Sequence, residues 1–146
     1  MAKTVPLISS GSKGPLGVLH LPRFWQKVLL AAKGQLADGY PDCGGGYDSM
    51  VLAGLKLDKD ATLAYLRQNL PSYPQFEKWV LQQRGGSIPK GEIDALNAAI
   101  AGYNHADDTR TEILGAAGIA DEGHVKDAVH LNQLDDWTAF HAALKG

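Results

Sequence analysis

Apolar residues recur every three or four positions along most of this chain, and proline or glycine interrupts the pattern between the repeats. One repeat runs through Phe24, Val28 and Leu29, with Pro22 before it and Gly34 after it. A proline in the first turn and a glycine after the last apolar residue are typical of helix ends. Long alternating runs of β-branched residues, which would indicate strands, are missing. The spacing therefore predicts an all-α fold.

The same punctuation predicts about six helices in a compact single-domain bundle. We expect five of them to begin near Pro22, Asp58, Pro74, a cap at Asp107 or Asp108, and residues 132–135, and a further one to carry the apolar repeat Ile93, Leu96, Ile100 and Tyr103. Residues 50–55 could add a short helix. The side chains on the inward faces, which we expect to be buried, are Trp25, Val28, Leu66, Phe76, Val80, Leu96, Ile100, Trp137 and Phe140.

Residues 1–17 differ from the rest, because they are rich in glycine, proline and serine and have no helical period. They predict an extended N-terminal arm, followed by a single helical domain over residues 18–146. A chain of 146 residues is long enough to bury a core of its own.

Charge and composition exclude several partners. Fourteen basic and sixteen acidic residues give a net charge of -2, and no basic run is present, so we predict no nucleic-acid partner. The longest apolar run, residues 28–32, is far shorter than the roughly 20 residues of a membrane span, so we predict no membrane partner. Cys43 is the single cysteine. With no signal-like start, this predicts a cytoplasmic protein.

Two neighbouring segments carry the residues of a candidate binding site. Arg23 and Lys27 are four residues apart, so on a helix their charges can converge on one anion, and His20 directly precedes that helix. Residues 40–48 include Gly44, Gly45 and Gly46, whose backbone can approach a ligand closely. We therefore predict a site for a small anionic molecule, which Arg23, Lys27, Tyr40, Tyr47 and Asp48 bind.

Whether this site is catalytic stays open from the sequence. His20 and His105 are the candidate proton carriers. Cys43 is a candidate nucleophile if a helix N-terminus or a cation lowers its pKa. A non-catalytic interaction protein, such as a homodimer, is one alternative. A metal- or haem-associated protein using His105 and His141 is another, although no ligand spacing predicts a metal and no motif identifies a cofactor.

An ordered set of short motifs resembles a small bacterial family known as domain-of-unknown-function family 5069. The matching residues are Leu19 to Arg23 with Lys27, then Gly39, Tyr40, Cys43, Asp48 and Gly54, then Trp79, and finally Leu134 to Trp137. The chain differs from the family pattern after Cys43, where the family typically has Pro-Leu-Asp-Gln and this chain has Gly44, Gly45, Gly46, Tyr47 and Asp48. The resemblance implies a compact helical domain of bacterial origin and no particular activity.

Overall fold

The computed structural model describes residues 3–146 and is all-helical over that part of the chain. Seven helices follow one another: α1 (Leu21–Ala32), α2 (Tyr47–Gly54), α3 (Lys59–Asn69), α4 (Tyr73–Gln83), α5 (Lys90–Ala101), α6 (Asp107–Ala116) and α7 (Ala128–Lys145). Pairing of the β type is limited, among these residues, to three isolated bridges. None of the helices in this part is long and apolar enough to cross a bilayer.

The helix ends follow from local sequence in most cases. Asp58 caps α3 by accepting a hydrogen bond from the Ala61 N–H. Ser72 and Gln75 cap α4 reciprocally, each side chain accepting from the backbone N–H of the other. Helix α2 is the one beyond the six that the sequence predicted. It covers most of residues 50–55, for which the sequence allowed a short helix.

Two predicted helix starts are wrong. Helix α7 begins at Ala128, earlier than residues 132–135, because the Asp127 side chain accepts a hydrogen bond from the His130 N–H and caps it there. Neither Asp107 nor Asp108 caps α6, since the N-cap is Ala106 and both acids lie inside the first turn. There their negative charges interact favourably with the positive end of the helix dipole, but they do not cap the helix.

The main core lies among α1 to α5, which we call the helical body (residues 18–102). Phe24, Val28, Leu66, Phe76 and Ile100 are fully buried in it. The sequence predicted four of these, and Val80 and Leu96 are buried as predicted too. Trp25 is only partly buried, and its indole N–H donates to the Pro71 carbonyl instead.

Helices α6 and α7 pack on each other as a second unit, which we call the C-terminal hairpin (residues 103–146). Its own core is small and consists of Ile113, Leu114 and Leu131. Trp137 is 56% exposed and Phe140 is 46% exposed, so their predicted burial is wrong. Because α7 contacts neighbouring helices on another face, its second half projects these rings outward.

Residues 3–17 form no helix, but they are packed rather than free. Val5, Pro6 and Ser10 are buried, and the Arg23 guanidinium donates to the carbonyls of Pro6 and Ile8. Met1 and Ala2, also part of the predicted arm, lie outside the described residues. The division of the chain at residue 17 stays a prediction.

Candidate functional site

A cavity of about 330 Å³ lies where the helical body meets the C-terminal hairpin. The start of α1 and residues 39–48 form one wall, and residues from α7 and the segment before α6 form the other. Among the residues lining it are the sequence-predicted His20, Arg23, Lys27, Tyr40, Tyr47, Asp48 and His105. Four separate segments of the chain thus contribute to one cavity.

His20 is held between two buried side chains. Its Nε2 lies 2.6 Å from Asp48 Oδ1, and its Nδ1 lies 2.8 Å from the Ser10 hydroxyl. Burial lowers the pKa of His20 more than the hydrogen bond to Asp48 raises it. The imidazole is therefore neutral at pH 7, with Nε2–H donating to Asp48 and Ser10 donating to Nδ1.

The backbone of His20 is strained. As the N-cap of α1 it has φ 70° and ψ -23°, in the left-handed region. This conformation costs a residue other than glycine roughly 1–2 kcal/mol. Lys56 and Leu70 also have positive φ, but they follow the ends of α2 and α3, where left-handed residues are common. Strain of the kind seen at His20 is often found at functional sites.

Asp48 joins three groups around the cavity floor. In addition to His20, its Oδ2 accepts hydrogen bonds from Lys27 Nζ at 2.6 Å and from the Gly44 N–H at 2.8 Å. Burial alone would raise the pKa of Asp48, but the His20 hydrogen bond and the Lys27 charge outweigh it and hold that pKa below its ordinary value. Asp48 is therefore ionised at pH 7.

Lys27 is 6% exposed and makes one hydrogen bond within residues 3–146, the one to Asp48. An ammonium group has three N–H donors. Two donors of this buried cation therefore have no protein acceptor, and Lys27 lines the cavity.

Arg23 is engaged in a second buried network. It donates to both carboxylate oxygens of Asp136 on α7, at 2.7 and 3.0 Å, and Tyr40 donates its hydroxyl to the same carboxylate at 3.0 Å. Burial and the Asp136 charge raise the pKa of Tyr40 well above its ordinary value. Because Arg23 also binds the arm carbonyls, its main role is to join arm, body and hairpin. Its predicted role of holding an anion together with Lys27 stays a prediction.

The hairpin wall carries more loosely held groups. His105 Nε2 lies 2.7 Å from Asn132 Oδ1, so Nε2–H is the donor, and Nδ1 has no hydrogen-bond partner within the described residues. Asp135 also lines the cavity, and no hydrogen bond or ion pair to it occurs within the described chain. Burial and the adjacent Asp136 charge raise the pKa of Asp135. These two side chains can accept protons or N–H donors from a ligand.

Tyr47 lines the cavity, whereas Cys43 is not among its lining residues. Tyr47 is buried and donates its hydroxyl to the Ile100 carbonyl at 2.6 Å, and burial raises its pKa to about 12. Its ring therefore forms part of the cavity wall, and its hydroxyl is not a proton donor for a ligand. Cys43 packs against the main core, and burial raises its pKa. The lowered pKa that a nucleophilic role requires is not found there.

The residues of the metal or haem alternative do not converge. His141 is exposed on the second half of α7, away from the cavity that His105 lines. Within residues 3–146, no three His, Cys, Asp or Glu side chains are grouped as a metal ion would require.

Sequence reasoning missed Ser10, Tyr103, Asn132, Asp135 and Asp136 as members of the site region. Asp135 and Asp136 lie within α7, well after its start at Ala128, whereas the sequence predicted a start at residues 132–135. Their place in the motif Leu134 to Trp137, which resembles family 5069, was the one available signal. Ser10, by contrast, lies in a serine- and glycine-rich segment without any distinguishing pattern.

Comparison with protein-family models finds no match for this chain, and a search of curated proteins finds no significant relative. The resemblance to family 5069 therefore stays a prediction, and the candidate site depends on its own geometry.

Proposed function

We propose that this chain binds a small metabolite with an anionic group in the cavity between the helical body and the C-terminal hairpin. The burial of charge around this cavity is the observation that supports the proposal. Arg23, Lys27, Asp48 and Asp136 are each at most 6% exposed. Removing such groups from water costs several kcal/mol per ion, and apolar side chains of similar volume often stabilise a fold as well or better. A site that needs fixed charges explains their presence.

The anion is proposed to bind at Lys27 and the start of α2. Lys27 offers its two remaining N–H donors, and the helix start has no side-chain cap. The N–H groups of Gly45 and Gly46 make no hydrogen bond within the described chain, and both residues line the cavity. Backbone donors of this kind and a cation together form charge-assisted hydrogen bonds to a carboxylate or phosphate.

His105 is the side chain proposed to move a proton if the bound molecule reacts. Its Nδ1 is the acceptor left by the bond to Asn132, whereas both ring nitrogens of His20 already have protein partners. In this proposal His20 positions Asp48, and through Asp48 it positions Lys27.

Glycine substitutions test the binding proposal without disturbing the buried charges. A Cβ added at Gly45 would meet nothing within 4 Å, and its φ is not in the left-handed region, so Gly45→Ala should fold normally. The added methyl group would nevertheless lie beside the proposed anion. Gly91→Ala in α5 is the matched control, because its Cβ is equally free and it lies outside the cavity.

The measurement is a thermal-shift titration with inorganic phosphate and succinate against salt-matched sodium chloride. A ligand at a hundred times its dissociation constant stabilises a protein by about 2.7 kcal/mol. We expect a shift in the wild type and in Gly91→Ala, and a much smaller one in Gly45→Ala. Equal shifts in all three proteins, or none beyond that of sodium chloride, would contradict the proposal.

A second candidate function is self-association through α7. Trp137, Phe140 and Leu144 are exposed at i, i+3 and i+7, the spacing of a helix–helix seam. In an antiparallel pair centred on Phe140, Lys145 would lie near the partner's Asp135, so that opposite charges meet. Light scattering coupled to size exclusion distinguishes the candidates, since this one requires a dimer that Phe140→Glu converts to a monomer.

A further inference from the structure

We infer that the cavity selects a zwitterion, a small molecule whose ammonium group binds Asp135 while its carboxylate or phosphate binds at Lys27. Molecules of the amino-acid class, with one amine and one acid group, have this chemistry. The inference rests on the proposed function and adds a second recognition point to it.

The first argument is the balance of charge around the cavity. Its lining holds two cations, Arg23 and Lys27, and three carboxylates, Asp48, Asp135 and Asp136. His20 is neutral, as its buried position requires. An anion alone would therefore enter a lining that is already negative, so repulsion from the carboxylates weakens its attraction to Lys27. A ligand that brings its own positive group removes this repulsion.

The second argument is the pairing of the three carboxylates. Asp48 accepts from Lys27, His20 and Gly44, and Asp136 accepts from Arg23 and Tyr40. Asp135 is the lining carboxylate for which the described chain provides neither hydrogen bond nor ion pair. It is thus the position at which the cavity lacks a positive partner, and an ammonium group supplies one.

The third argument is that a second hydrogen-bond acceptor, His105 Nδ1, lies near Asp135. His105 also lines the cavity and lies near Asp135. Its Nδ1 is an acceptor in the tautomer fixed by Asn132. An ammonium group has three N–H donors, so it can use both Asp135 and His105. A bound cation would also lower the pKa of Asp135, which burial now raises.

The inference is tested by calorimetric titration with two matched series of probes. One series is glycine, β-alanine, 4-aminobutyrate and 5-aminovalerate, which covers a range of distances between the charges. The other series is acetate, propionate, butyrate and valerate, which lack the amine. We expect at least one amino acid to bind the wild type ten-fold or more tightly than its matched carboxylate.

Asp135→Asn is the decisive variant, because it removes a charge without changing the size of an exposed side chain. It should abolish the preference for the amino acid without weakening carboxylate binding, because it removes a negative charge from the lining. Asp94→Asn, which removes an exposed carboxylate on α5 outside the cavity, should retain the preference. In the wild type, NMR titration should also show the Asp135 pKa falling when the amino acid is bound.

Each other outcome has a definite meaning. Carboxylates that bind as tightly as the amino acids overturn the zwitterion inference and leave the proposed anion site standing. Equal loss of both series in Asp135→Asn overturns it too, since the residue would then act on the whole site. If neither series nor inorganic phosphate binds, the proposed function fails and the inference fails with it.

Discussion

The helical body and the C-terminal hairpin are both helical, yet they are held together by different forces. The main cluster contains fifteen buried apolar residues, fourteen from the body and Ala128 from α7, with Phe24 and Phe76 among those fully buried. The hairpin buries three in its own cluster. It is attached to the body partly through polar contacts, of which the buried pair between Arg23 and Asp136 is the most enclosed. The candidate site lies where these two modes of packing meet.

This difference explains where function can be placed in a small domain. Apolar burial stabilises the body roughly in proportion to the area removed from water, so the body can tolerate polar groups at its edge. Burying ions is unfavourable unless they are paired and hydrogen-bonded. Here one buried pair, Arg23 with Asp136, spans the two regions, so that this part of the cavity wall and the attachment of the hairpin depend on the same side chains.

The largest expected contrast comes from aromatic truncation in each region. Phe76→Ala removes a fully buried ring, and such changes typically lower the free energy of unfolding by about 3–5 kcal/mol. Trp137→Ala removes an exposed ring and should change it by less than about 0.5 kcal/mol. Denaturant unfolding of both variants measures this. A large loss for Trp137→Ala would mean that another surface covers the hairpin in solution.

The second contrast concerns the ion pair between the regions. Asp136→Asn keeps the shape of the side chain but leaves the Arg23 charge uncompensated, and breaking a buried pair costs about 3–5 kcal/mol. Amide hydrogen exchange should accelerate more in α6 and α7 than in α1, α3 and α4. Asp135→Asn, one residue away and without a protein partner, should leave exchange unchanged. Uniform acceleration across all helices would remove the distinction between the two regions.

The third prediction is a pH dependence that arises from His20. Its folded-state pKa lies below the value near 6.5 of the unfolded chain. Between these two values the unfolded state binds more protons, so stability falls as the pH is lowered, by at most about 1.4 kcal/mol per pH unit. Asp48, whose pKa is also lowered, adds stability that is present above about pH 4 and is lost as the pH falls through its folded value.

Two histidine variants isolate this effect. His20→Asn should flatten the slope below pH 6.5, and asparagine tolerates the left-handed backbone at that position. His124→Gln changes an exposed histidine and should keep the wild-type slope. Denaturant midpoints from pH 7 to pH 4.5 provide the data. An unaltered slope in His20→Asn would show that other groups cause the acid sensitivity.

The smallest expected effect uses the same substitution in both regions. Gly91→Ala in α5 and Gly115→Ala in α6 each add a methyl group with nothing within 4 Å. Alanine favours a helix over glycine by about 0.4–1 kcal/mol. If the body controls global unfolding, Gly91→Ala should raise the unfolding midpoint, whereas Gly115→Ala should mainly slow exchange within the hairpin. Equal midpoint shifts would indicate that both regions unfold together.

Sequence reasoning predicted the helical body well because its helices bury one apolar stripe and have strong end signals. Pro22, Asp58 and Pro74 mark those ends, and Val28, Leu66 and Val80 lie inside as expected. Periodicity alone could not reveal that the second half of α7 has no neighbour for its Trp137 stripe. That depends on where the hairpin packs, which is tertiary information.

For the site, local charge spacing identified the body wall but not the pairing across the cavity. Arg23 and Lys27 were recognised as neighbours on one helix face. Their counterions, Asp136 and Asp48, are 113 and 21 residues away along the chain. No local pattern connects each cation to its counterion. The prediction from the sequence therefore overestimated the positive charge that remains available to bind an anion.

The most direct test of this account is an amide chemical-shift map of the wild type titrated with 4-aminobutyrate and, separately, with inorganic phosphate. We expect phosphate to perturb the amides of Gly45, Gly46 and the first turn of α2. The amino acid should perturb these and also His105, Asn132 and Asp135 on the opposite wall. Perturbations confined to surfaces outside the cavity, or none at saturating concentration, would contradict the claim that this cavity is a binding site.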